Sequence, residues 1–183
     1  MSDPFTAGSV IVITGIMGAG KSTVAQLLAE RLRNSVHVRG DLFRRMIVRG
    51  RAEMVPSADA EALAQLRLRY HLATIVADGY AAAGFTAIYQ DIILGDDLAQ
   101  VVDRITTPQL FVVMLAPRAD VAADRAESRD KASGYGDWTA EALDTMLRDT
   151  PRLGLWLDTS NQAADQTVEE IIRRADEALV RSI

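Results

Sequence analysis

The chain has 183 residues, 49% of them hydrophobic, with a formal charge of −5, no cysteine and two histidines, His37 and His71. It is long enough for one core without staples, and disulfides, thiolate metal sites and cysteine nucleophiles are excluded. The mild acidity disfavours nucleic acid and anionic membranes as partners, no apolar run reaches spanning length, and the first nine residues lack a secretory-signal pattern, so a cytoplasmic protein with one domain over residues 1–183 is expected.

The β-branched run Val10–Thr14 predicts the first strand. Gly15-Ile16-Met17-Gly18-Ala19-Gly20-Lys21-Ser22 follows and fits G-x-x-x-x-G-K-[ST], a phosphate-binding loop. A helix from Lys21 to about Leu32 completes the context, with Val24, Leu27, Leu28 and Leu32 at helical spacing. Main-chain N–H groups enclose a polyphosphate only where side chains are absent, and Gly15, Gly18 and Gly20 meet that demand. The helix start adds unpaired N–H groups and a partial positive charge. Nucleotide contacts are therefore expected at Gly15, Met17, Gly18, Ala19, Gly20, Lys21, Ser22 and Thr23. Lys21 supplies a mobile cation for the β/γ-phosphates and the Ser22 hydroxyl a ligand for Mg²⁺.

Ser35–Val38 reads as strand two, ending in Arg39-Gly40-Asp41, with a helix from Leu42 to near Gly50. Residues 51–57 form a loop, and Ser57 caps a long helix from Ala58 to Ala83 that stops at Gly84. Phe85–Tyr89 is strand three, followed by Gln90-Asp91 and a short helix from Asp96. The wholly apolar Leu110–Leu115 predicts a central parallel strand. A helix then runs from Ala116-Pro117 to about Arg129, and the polar segment 130–138 is the expected lid. Thr139 caps a helix to Arg148, Gly154–Leu157 is strand five, and Thr167-Val168-Glu169-Glu170 fits a capping box before the last helix. Alternation of strands and helices implies a doubly wound α/β sheet.

Other positions narrow the class. Neither Asn-Lys-x-Asp nor a glutamate after Asp91 is present, which favours transfer to a bound acceptor over a guanine switch or a hydrolytic ATPase. Asp41, at a strand's carboxyl end, is placed to orient an acceptor hydroxyl and take its proton, or simply to cap the next helix. Asp91 suits a strand-end Mg²⁺ carboxylate, or is a loop aspartate. Arg125 and Arg129 share a helix face running into the lid, where they neutralise γ-phosphate charge or pair with neighbouring carboxylates in solvent. Arg45, from the cluster around Asp41, and Arg69, on the long helix, are the acceptor-binding candidates; a solvated helix face is the plain alternative for such arginines.

With these residues in place, the chain resembles the small P-loop kinases, the superfamily of shikimate, gluconate and adenylate kinases. It is most similar to the chloramphenicol phosphotransferase-like group and its small AAA-type relatives. GIMGAGKS, Asp41 in VRGDLFRRM, Asp91 in AIYQD and the Arg125/Arg129 pair carry the likeness. The resemblance implies a five-stranded parallel sheet of order 2-3-1-4-5, ATP and Mg²⁺, a base at Asp41, a lid near 130–138, and adenine near Asp158-Thr159-Ser160. The expected activity is ATP-dependent phosphoryl transfer to a hydroxyl of a small molecule, an antibiotic among the options. A nucleoside, nucleotide or sugar-acid kinase and an ATP-binding regulator are the alternatives. The sequence specifies neither acceptor nor oligomeric state.

Overall fold

A computed structural model of the chain describes residues 4–55, 57–127 and 139–182. Strand β1 (Val10–Gly15) leads through the phosphate loop into helix α1 (Lys21–Arg31). Next come β2 (Ser35–Arg39), the short α2 (Gly40–Arg45), the long α3 (Ala60–Ala82) and β3 (Thr86–Gln90). They are followed by α4 (Asp96–Arg104), β4 (Leu110–Leu115), α5 (Ala119–Glu127), α6 (Ala140–Arg148) and β5 (Leu155–Leu157). The C-terminal part holds α7 (Ala164–Arg173), α8 (Ala175–Ala178) and β6 (Leu179–Arg181).

The strands β2-β3-β1-β4-β5 run parallel in that order, as expected. Every residue of β1, β3 and β4 is buried. Helices covering both faces of a parallel sheet produce this, and it is why these strands read as continuous apolar runs rather than alternating ones. Register places the functional ends together. Ile13 of β1 and Arg39 of β2 both pair with Gln90 of β3, so the phosphate loop, Asp41 and Asp91 leave the sheet at one edge. No described helix is long and apolar enough to cross a membrane.

Several boundaries differ from the sequence reading, each for a local reason. Asp59, not Ser57, caps α3, accepting from Ala62 N–H at 2.9 Å. Helix α2 starts at Gly40, so that it contains Asp41, and is six residues long, ending at Arg45 instead of continuing to Gly50. Phe85 precedes β3 and packs edge-on against Tyr80 at 6.0 Å. The last long helix starts at Ala164, with the Gln166 amide oxygen accepting from Ala163 N–H at 2.8 Å. Thr167 is buried inside that helix and hydrogen-bonds Gln162 and Ala163, so it is not a cap. The sequence reading missed β6, which pairs antiparallel with the start of β4 through Leu110 and Phe111. The segment 130–138, expected as the lid, and Arg129 lie outside the described residues.

Candidate phosphate and acceptor site

The phosphate loop is pressed onto its surroundings at two glycines and open at the third. A Cβ on Gly15 would meet Leu115 O at 2.3 Å, and one on Gly18 would meet Ala122 O at 1.9 Å. Gly18 and Gly20 also hold φ of +77° and +89°, conformations that suit glycine. At Gly20, the N-cap of α1, a Cβ would meet nothing within 4 Å. The main chain therefore borders open space where the N–H groups of α1 emerge. Lys21 is buried, and its ammonium reaches back across the loop to donate to Ile16 O at 2.7 Å. A carbonyl is a weaker partner for an ammonium than a phosphate oxygen, so an incoming anion gains by replacing it.

Ser22 lies beside β3. Its hydroxyl donates to Gln90 Oε1 at 3.3 Å. Asp91, the next residue, turns the other way: Arg69 donates from Nε to Oδ2 at 2.8 Å and from Nη2 to Oδ1, and Ile92 N–H donates to Oδ1 at 2.8 Å. Tyr89 OH adds a long contact to Oδ2 at 3.5 Å. Both carboxylate oxygens are thus committed inside the protein. The side chain beside Ser22 is Gln90, a residue the sequence reading passed over; its place at the last position of a buried strand was the available signal. Arg69 is equally enclosed and donates to Asp91, so its charge is already matched.

Asp41 stands at the first turn of α2, where Arg45 Nη2 contacts its Oδ2 at 2.8 Å. Arg45 is 69% exposed, on the solvent side of that pair. Gly40, just before Asp41, sits so close to the Arg69–Asp91 pair that a Cβ there would lie 1.8 Å from Asp91 Oδ2. The ion pair therefore backs the turn that carries Asp41.

On the other side of the loop, a cleft of about 240 Å³ is lined by Ala19, Gly20, Thr23, Arg125, Thr159 and Gln162 among others. Arg125 Nη2 donates to Thr159 O at 3.0 Å and Ser160 O at 3.3 Å, tying α5 to the loop after β5. The Ser160 hydroxyl accepts from Arg118 N–H at 2.8 Å and hydrogen-bonds Asp158. Hydrogen bonds from the Ser160 side chain and backbone hold the Asp158 carboxyl below its usual range. Arg125 and Thr159 thus share one cleft with the phosphate loop, Ser160 is the next residue along, and the buried Thr159 hydroxyl has no hydrogen-bond partner among the described residues.

A model of the AAA domain family matches residues 10–153 of this sequence. The chain belongs to that family. No curated protein matches it. Among solved structures, the chain is similar to an APS kinase from Mycobacterium tuberculosis in complex with AMPPNP and APS, at 21% identity and TM-score 0.67, over 94% of this chain and 99% of that one. A sugar kinase from Janibacter sp. HTCC2649 shares 24% identity at TM-score 0.63, over 93% and 95% of the two chains. A gluconokinase from Sinorhizobium meliloti 1021 shares 19% identity at TM-score 0.62, over 95% of each. At these identities the likeness is one of fold alone.

Proposed function

We propose that this protein is an ATP-dependent phosphotransferase that moves the γ-phosphoryl group to a hydroxyl of a small molecule, with hydroxylated antibiotics among the acceptors to be tried. The observation that carries the reading is the Lys21 ammonium held on Ile16 O beside the open face of Gly20, at the start of α1. That puts a cation and the first N–H groups of α1 beside open space, with a carbonyl as the partner to displace. Kinase-named structures of the same fold support it.

The donor set also suits Mg²⁺, a hard cation that prefers oxygen ligands and retains several waters. Ser22 Oγ, held by Gln90, would be the direct protein ligand. Asp91, engaged by Arg69, fits a supporting role one step back. When bound, Mg²⁺ neutralises charge on the β- and γ-phosphates. In this reading the protein's own groups do the rest. The main chain from Gly15 to Ser22, with Thr23, fixes the phosphates; Arg125 and Ser160 border the nucleoside. Lys21 stabilises charge as the phosphoryl group moves, and Asp41 orients the acceptor hydroxyl and accepts its proton. Arg129 would join from the segment that follows α5.

The test is calorimetry with Mg²⁺ and ATP, followed by an ADP-release assay across sugars, sugar acids, nucleosides, nucleoside monophosphates and antibiotics. Binding with acceptor-dependent ADP release is expected. Tight ATP binding with no transfer to any acceptor would favour a regulator instead, and no binding would end the proposal.

A further inference from the structure

A second cleft, of about 170 Å³, opens beside the phosphate loop. Met17 of that loop forms part of its wall, so whatever fills it lies next to the phosphates. Met54, Leu66, Ile92, Leu94 and Met146 make the lining predominantly apolar. Two charged side chains face it, Arg69 and Asp97. They are not equivalent. Arg69 is 4% exposed and its guanidinium is paired with Asp91, so it offers an anion little. Asp97, in the first turn of α4, makes no ion pair or hydrogen bond with another described side chain. Partial burial, with the neighbouring charge of Asp96, pushes its carboxyl up, against the pull of Arg67 and Arg104. A half-buried carboxylate with no hydrogen-bonded cation beside it is stabilised by a cation that reaches contact distance.

We infer that this cleft is the acceptor site, and that the acceptor is a hydroxyl compound with an apolar body of about one ring and a cationic amine that pairs with Asp97. The inference rests on the phosphotransferase reading for the word acceptor, but the pocket's chemistry stands independently of it. The size follows from comparison: an apolar cavity of about 150 Å³ takes benzene. The charge follows from the two side chains. Sugar acids and nucleoside phosphates would bring an anion to a cleft whose arginine is already neutralised and whose other charge is negative. Three flexible methionines in the lining, Met17, Met54 and Met146, adapt to the shape of the body.

The experiment is calorimetric titration of 2-amino-3-phenylpropan-1-ol into the full chain with Mg²⁺ and AMPPNP, against its N-acetyl derivative, gluconate and AMP. The amino alcohol is expected to bind at least about tenfold more tightly than each of the other three, tenfold being 1.4 kcal/mol. Asp97→Asn is expected to lose that preference over the N-acetyl compound while keeping AMPPNP affinity. Tighter binding of gluconate or AMP, no binding of the amino alcohol, or an Asp97→Asn variant with full amine affinity would each overturn the inference. The amino alcohol is also titrated without nucleotide. A chain that fails to bind AMPPNP yet binds the amine through Asp97 sinks the phosphotransferase reading and leaves the pocket assignment standing.

Discussion

Arg69 and Asp91 meet through two parallel contacts, Nε to Oδ2 at 2.8 Å and Nη2 to Oδ1, with exposures of 4% and 2%. Removing one partner leaves an uncompensated charge at a buried site. Such single removals cost about 3–5 kcal/mol, whereas replacing both partners with apolar groups is often near neutral. Arg69→Met and Asp91→Leu should each destabilise by that amount, and Arg69→Met/Asp91→Leu should recover most of it. Urea denaturation of the four proteins measures this as a double-mutant cycle. Single variants within about 1 kcal/mol of wild type would show that the pair carries little. If Asp91 instead held Mg²⁺ directly, Asp91→Asn would lower Mg²⁺-dependent ATP affinity with little change in stability.

Gly40 transmits that pair to the site. A Cβ there would lie 1.8 Å from Asp91 Oδ2 and 2.4 Å from Cγ, and the carboxylate cannot retreat without breaking its contacts to Arg69 and Ile92 N–H. Overpacking of this kind typically costs about 1–3 kcal/mol. Gly40→Ala should therefore lower stability by that amount. It should also displace Asp41, so that kcat falls while the affinity for ATP is retained. A variant with wild-type melting and kcat would separate Gly40 from both roles.

Much of this arrangement is legible in the sequence, and what is not has a common cause. The phosphate loop is local: its glycines, lysine and serine are contiguous, and the strand and helix that hold it announce themselves by β-branched and helical spacing. The parallel sheet follows from the alternation of elements, and its strand order from the resemblance to the small P-loop kinases. The pairing of Arg69 with Asp91, 22 residues apart, is tertiary, and nothing along the chain distinguishes a strand-end carboxylate facing a metal from one facing an arginine. Likewise, Ser57 and Asp59 are both good caps, and the choice depends on where α3 begins against the sheet. The strand Leu179–Arg181 is too short to show a period and exists because β4 leaves an edge open at Leu110 and Phe111.

Asp41 and Arg45 form a partly exposed pair on a helix of six residues. An exposed pair of this type contributes about 0–1 kcal/mol, so Arg45→Ala should leave stability nearly unchanged. If Asp41 takes the acceptor proton, Asp41→Asn should reduce kcat by about 10²–10⁴-fold, the range for loss of a general base, with ATP affinity intact. Lys21→Ala should act differently, weakening ATP binding as well as turnover, because its ammonium lies in the phosphate cradle. Steady-state kinetics together with nucleotide titration separates the two patterns. Equal losses of ATP affinity in Asp41→Asn and Lys21→Ala would mean that Asp41 does not act on the acceptor.

His37, in the edge strand β2, has a pKa lowered from 6.5 to about 4, by burial first and by the neighbouring Arg39 second. The folded protein therefore favours the neutral ring, whose Nδ1 lies 3.0 Å from Gln26 Oε1 while its buried Nε2 has no hydrogen-bond partner among the described residues. The sign follows from linkage. Below pH 6.5 the unfolded chain takes a proton that the folded chain refuses, so the contribution is fully present above that pH and is lost progressively down to about pH 4. The ring is only half-buried, so solvent screening reduces the effect to about 1–2 kcal/mol across the window. Carboxylates with depressed values, such as Asp78 and Glu170, add their own loss at the acid end, which a single curve cannot separate. The difference between wild type and His37→Gln isolates the histidine: stability measured by urea at pH 7, 6, 5 and 4.5 should fall more steeply for wild type. Parallel curves for the two proteins would mean that His37 titrates alike in the folded and unfolded chains.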